Sequence, residues 1–130
     1  MLFRSVGMFL MWGYSGEQIE DIAATVELVK QCQPDVYLTT VAYPIKNTAY
    51  FKKTEQSVVL EKEWAAATDR DFRIQGRHSR GYYKQADAWL RNEVEATRIA
   101  AQDPRAAALK RAAALEARES MLGLAAETEA

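Results

Sequence analysis

The sequence predicts an α/β chain: a parallel β-α-β unit, then a β-hairpin, then C-terminal helices. Three observations carry that prediction. The apolar run Gly7-Met8-Phe9-Leu10-Met11-Trp12 is bounded by glycines, Gly7 itself and Gly13. Apolar residues then recur at helical spacing, and beyond Pro34 comes a second run rich in β-branched and aromatic residues. Strand, helix and strand in that order form a unit whose strands run parallel, joined by a right-handed crossover.

Each element has its own signal. The continuous apolar character of Gly7–Trp12 suits a strand buried on both faces, as in a parallel sheet. The turn Gly13-Tyr14-Ser15-Gly16 follows, and Ser15 with Gln18 has the spacing of a capping box, with Glu17 and Glu20 in the first turn. Ile19, Ile22, Val26 and Val29 mark one helical face, with Ala23 on the same stripe, and Pro34 ends the helix. Asp35 to Ala42 reads as the second strand. Thr48 caps a short helix through Lys53, and the runs Val58–Trp64 and Phe72–Arg77 flank a polar turn, which predicts a hairpin. A helix from Tyr82 to about Ala101 presents Tyr82, Ala86, Trp89, Leu90 and Val94 near one face. Asp103-Pro104 is an N-cap with proline at the first helical position. The remaining tail is rich in Ala, Glu, Arg and Leu but poor in large apolar groups, so a loosely held helix that frays after Gly123 is expected.

Composition narrows the function classes. Apolar residues at 48% and charged residues at 27% are the balance of a soluble domain with a core. A net charge of −1 supplies no field to draw the chain to nucleic acid, so Trp64, Tyr82, Tyr83 and Trp89 are expected to pack hairpin against helix. The longest apolar run, Val6–Trp12, is far short of the ~20 residues of a spanning helix. No targeting segment is visible, so a cytoplasmic protein is expected. Cys32 is the single cysteine, expected inert and part-buried. His78 reads as part of a solvated basic loop with Arg77 and Arg80. In a β-α-β unit ligands bind beyond the carboxyl ends of the strands, which here are Gly13–Glu17 and Tyr43–Thr48.

Those two ends carry a family resemblance. Gly7 to Glu17 reads G-M-F-L-M-W-G-Y-S-G-E, and Tyr43 to Thr48 reads Y-P-I-K-N-T. Together with Glu20-Asp21-Ile22, Ala24-Thr25 and Pro34-Asp35, they resemble the last two strands of the radical S-adenosylmethionine (SAM) barrel. The closer match is to members with an N-terminal cobalamin-binding domain. Ser15, Gln18 and Asn47 depart from the family's usual proline, threonine and glycine; Asn47 keeps access to a left-handed turn. The resemblance implies that residues 1–56 are the C-terminal β-α-β part of such a barrel. Residues 57–103 would be a hairpin-plus-helix extension, and residues 104–130 an Ala/Glu/Arg-rich helical tail without a family counterpart.

In that family a 4Fe–4S cluster on a C-x-x-x-C-x-x-C loop reductively cleaves SAM to a 5′-deoxyadenosyl radical, with cobalamin a further cofactor in some members. Three thiolates are needed and this chain has one, so alone it is expected to be inactive and to hold no cluster. The expected partner is the missing N-terminal half of the barrel, in the same or a separate chain. The chain also enters its first strand within a few residues of Met1, as natural domains can and as a chain cut from a longer one would. The resemblance places Met11 against the adenine ring, and Ala42, Tyr43 and Pro44 near its edge. Gly13, Gly16 and Glu17 shape the adjoining loop. Each has a plainer reading: glycine turns precede capped helices in any α/β protein, and Met8, Met11 and Trp12 fill sheet–helix interfaces. A stand-alone, non-catalytic α+β interaction protein, using its hairpin or Ala-rich helix, is the alternative from another class. Half of a split enzyme is a third.

Overall fold

The computed structural model describes residues 5–14, 16–42, 48, 49, 52, 58–60, 72–74 and 77–126. Strand β1 (Gly7–Trp12) pairs in parallel with β2 (Val36–Val41), in a register that sets Phe9 against Leu38 and Trp12 against Val41. Helix α1 (Ile19–Cys32) connects them. Strands β3 (Val58–Leu60) and β4 (Phe72–Ile74) form the expected antiparallel hairpin, with shorter paired segments than the sequence runs. Helices α2 (Arg80–Ile99) and α3 (Pro104–Gly123) complete a mixed α/β structure. Of the short helix expected after Thr48, one helical bond is described, from the Lys52 N–H to the Thr48 carbonyl at 3.1 Å.

The α1 stripe behaves as its periodicity requires. Ile22, Val26 and Val29 are buried, each burial stabilising by about 1.5–3 kcal/mol. Pro34 disfavours a right-handed α conformation at Gln33, which turns left-handed (φ 44°) and donates its N–H to the Val29 carbonyl at 3.0 Å. The start of α1 differs from the sequence reading. The N-cap is Gln18, whose N–H donates to Asp21 Oδ2 at 2.8 Å, so the capping box lies three residues later than Ser15–Gln18. Glu17 is withdrawn from the helix because its carboxylate turns back to the strand end.

The strands are not buried on both faces. Trp12 and Leu10 point toward the helices and are buried. Phe9 is 68% exposed, Leu38 57% and Met11 48%, and all three share the opposite face with Val36. Period-2 alternation decides this: α1 and α2 lie on one side, and none of the described elements covers the other.

The tail also departs from expectation. Asp103 caps α3 as predicted, accepting the Ala106 N–H at 3.0 Å, with Pro104 in the first turn. Yet α3 is docked along α2, antiparallel to it, through buried Ala107, Ala114, Ala117 and Met121. Arg118 lies over the Trp89 ring at 5.5 Å, and Leu124 Cδ1 comes within 3.3 Å of where a Cβ on Gly81 would stand. Small side chains let two helix backbones approach closely, so dispersion contacts replace the bulky apolar groups the tail lacks.

Candidate functional site

The carboxyl ends of β1 and β2 form a corner roofed by the start of α2. β1 leaves the sheet at Gly13, in a left-handed conformation at φ +74° that glycine adopts without penalty. The Gly13 N–H donates to Glu17 Oε1 at 2.8 Å, and the Glu17 N–H donates to the Tyr14 carbonyl at 3.1 Å, closing the loop on itself. At the end of β2, the Ala42 N–H donates to the Trp12 carbonyl at 2.7 Å, and the Ala42 carbonyl accepts from the Arg77 guanidinium. A Cβ on Gly13 would stand 3.1 Å from both Arg77 Cδ and Tyr83 Cζ, so the roof lies directly on the glycine.

The roof is aromatic and partly titratable. Ser79 caps α2 by accepting the Tyr82 N–H at 3.3 Å, which fixes the residues on either side. His78 stacks on Tyr82 at 3.9 Å between ring centroids and 17° between planes, with Tyr83 edge-on to both. His78 Nδ1 is buried without a hydrogen-bond partner among the described residues. One turn along α2, Asp87 Oδ1 accepts from the buried Trp12 indole N–H at 2.7 Å. Burial pushes the Glu17 carboxyl above its ordinary value, opposed by the Gly13 N–H bond and reinforced by Asp21. Burial likewise raises the Tyr82 hydroxyl, with Glu17 and Glu20 adding to it.

The residues singled out from sequence divide into four groups. Gly13, Glu17 and Ala42 are brought together in this corner. Gly16 adjoins it, left-handed at φ +86°, with open space where a Cβ would be. Met11 stands apart on the bare sheet face. Tyr43 and Pro44 lie outside the described residues, as does Trp64.

Arg77, His78, Tyr83 and Asp87 had no place in the sequence-predicted site. His78 is part of a stack rather than a solvated loop, and Arg77 caps a strand end rather than serving as ordinary surface charge. Their sequence signal was position: Arg77-His78 directly precedes the Ser79 cap of a helix whose buried stripe begins at Tyr82. Cys32 is exposed in the last turn of α1, not part-buried.

Exposed, apolar Met11 at the carboxyl end of β1 suits a wall for an adenine ring. The Gly13 N–H and Ala42 carbonyl already have partners in Glu17 and Arg77. A 4Fe–4S cluster does not fit this chain, because one thiol cannot replace three. Among the described residues no group of three or more His, Cys, Asp or Glu is placed to hold a metal ion, and no helix is long and apolar enough to cross a membrane. A polar groove of about 520 Å³ between α2 and α3, lined by Gln85, Asn92, Glu116 and Ser120 among others, lies on a different part of the molecule. No protein-family model matches the chain, and neither a curated protein nor a solved structure matches it.

Proposed function

We propose that this chain is the C-terminal β-α-β portion of a radical SAM barrel, supplying part of the SAM and substrate wall while a separate segment or chain carries the cluster. One observation carries the reading: the parallel pair is covered by helices on one face and bare and apolar on the other. Phe9, Met11, Val36 and Leu38 form that bare face, as the inner wall of an interrupted barrel would. Met11 is the member of this face nearest the carboxyl end of β1. Neither β1 nor β2 contains a charged residue, and no described strand pairs with the outer edge of either, although free edges are ordinarily guarded by charge, proline or a bulge.

The test begins with the coding DNA upstream of Met1 and in neighbouring genes, where a C-x-x-x-C-x-x-C loop is expected. The two parts are then co-expressed, and SAM binding to the complex is titrated calorimetrically. Met11→Asp should weaken binding, because a carboxylate facing the adenine is desolvated without a partner. A missing cluster motif, or unchanged binding in the variant, refutes the proposal.

The competing reading is a non-catalytic interaction protein. It is favoured by the roof of Arg77 and Tyr83, which packs the ligand end of the strands with the chain's own side chains. A monodisperse chain that melts sharply and cooperatively without any partner would support it.

A further inference from the structure

Helix α3 has two faces of opposite character. Ala107, Ala114, Ala117 and Met121 are buried against α2. The outward side carries Arg105, Leu109, Ala112, Glu116 and Glu119, spaced by four, three, four and three residues in a single helical stripe, with Glu116 and Glu119 also edging the groove beside α2. All five are exposed, and Leu109, at 74%, is the most exposed of the described large apolar residues; Leu115, at 56%, flanks the same stripe.

We propose that this face of α3 binds the same face of a second copy, antiparallel, about a two-fold axis near Ala112. Charge complementarity identifies the occupant. The stripe is cationic at its N-terminal end, through Arg105, and anionic at its C-terminal end, through Glu116 and Glu119. Antiparallel pairing lays each Arg105 beside the acidic end of the other copy, and parallel pairing would set like charge on like. These charges also run against the helix's own dipole, since α3 has no acidic residue in its first turn and no basic residue in its last. Arg105, Glu116 and Glu119 make no ion pair among the described residues. A second copy supplies what the helix lacks.

Ala112 at the centre permits close approach, and Leu109 and Leu115 lie on either side of it to be covered. An isologous contact of this kind is the commonest form of oligomer. A helix of this length spans ~30 Å, and one face of it covers less than the roughly 800 Å² per partner of a standard interface. The dimer is therefore weak, with a Kd on the order of 10–100 µM.

Sedimentation equilibrium of the full chain around that concentration should show monomer and dimer. Arg105→Glu should raise Kd about tenfold, and combining it with Glu116→Lys and Glu119→Arg, which reverses the stripe, should restore dimerisation. In a Cys32→Ser background, Ala112→Cys should form a disulfide-linked dimer under mild oxidation, and Arg105→Cys, far from the axis, should not. Helical circular dichroism checks that each variant is folded. A strictly monomeric chain overturns the proposal. So does association unchanged by Arg105→Glu, which would place the contact on another face such as the bare sheet. Capture of a helix from a different protein without self-association overturns it as well.

Discussion

Gly13→Ala and Gly16→Ala separate two costs that are usually measured together. Both glycines have left-handed backbones, at φ +74° and +86°. A side chain in that region costs roughly 1–2 kcal/mol, so both variants lose about that much. Only at Gly13 does the new methyl meet anything: Arg77 Cδ and Tyr83 Cζ at 3.1 Å, and the Tyr83 hydroxyl oxygen at 3.2 Å. The Arg77 stem can shift, but the Tyr83 ring is buried. Overpacking of this kind adds about 1–3 kcal/mol, so Gly13→Ala should cost about 2–5 kcal/mol in all. For a chain of this length, each kcal/mol moves Tm by roughly 3–5 °C, giving a drop of about 6–25 °C against about 3–10 °C for Gly16→Ala. Urea melts followed by circular dichroism provide the comparison, with the slope of each transition checked for constancy. Equal losses in the two variants would mean that the roof does not rest on Gly13.

Three further outcomes follow from the same corner and its supports. Glu17→Gln probes the raised carboxyl: a folded value above the unfolded one stabilises fully below the unfolded value, and that contribution is lost as pH rises through the folded value. Stability measured from acid to neutral pH should therefore move in favour of the Gln variant as pH rises, and a difference that stays flat would refute the assignment. Asp87→Ala strands the buried Trp12 indole N–H and should cost about 1–3 kcal/mol in urea melts, with Asp87→Asn recovering most of it; equal losses in the two variants would count against the bond. Truncation after Asp103 removes Ala107, Ala114, Ala117 and Met121 from the core, so the cooperative thermal transition should disappear. A truncated chain that melts like the intact one would return the tail to the loosely held helix expected from its composition.

The β-α-β unit was legible because its signals are periodic and local. Ile22, Val26 and Val29 repeat at helical spacing, and the glycine-bounded run ending at Trp12 has few alternatives to a strand. The cap shifted because Glu17 has two possible partners, a helix N-terminus and the Gly13 N–H, and only the fold determines which it takes. Burial of both strand faces was misjudged because a continuous apolar run does not say whether a second layer exists. The docking of α3 was missed because alanine is a helix former whether exposed or buried, and contributes little to amphipathic contrast. Of the site residues, Gly13 and Glu17 were named from the carboxyl end of the β-α-β unit and, with Ala42, from the family resemblance. Tyr83 and Asp87 reach the corner from α2, and Arg77 from just before it, all more than sixty residues from Gly13 in sequence, a juxtaposition that no local pattern encodes.

Helix α2 touches nearly everything. Along its length Asp87 holds Trp12, Glu93 pairs with Lys30 at 3.2 Å, and Arg98 donates to the Pro34 carbonyl at 2.8 Å, while its other side is packed by α3. The sheet layer and the helical hairpin therefore have no independent route to opening, since each must surrender the same helix. Amide exchange should show the middle of α2, around Leu90 and Val94, as the slowest stretch of the chain. A lesion at Trp12 or at Met121 would then register as faster exchange in that common stretch, although the two residues belong to different layers.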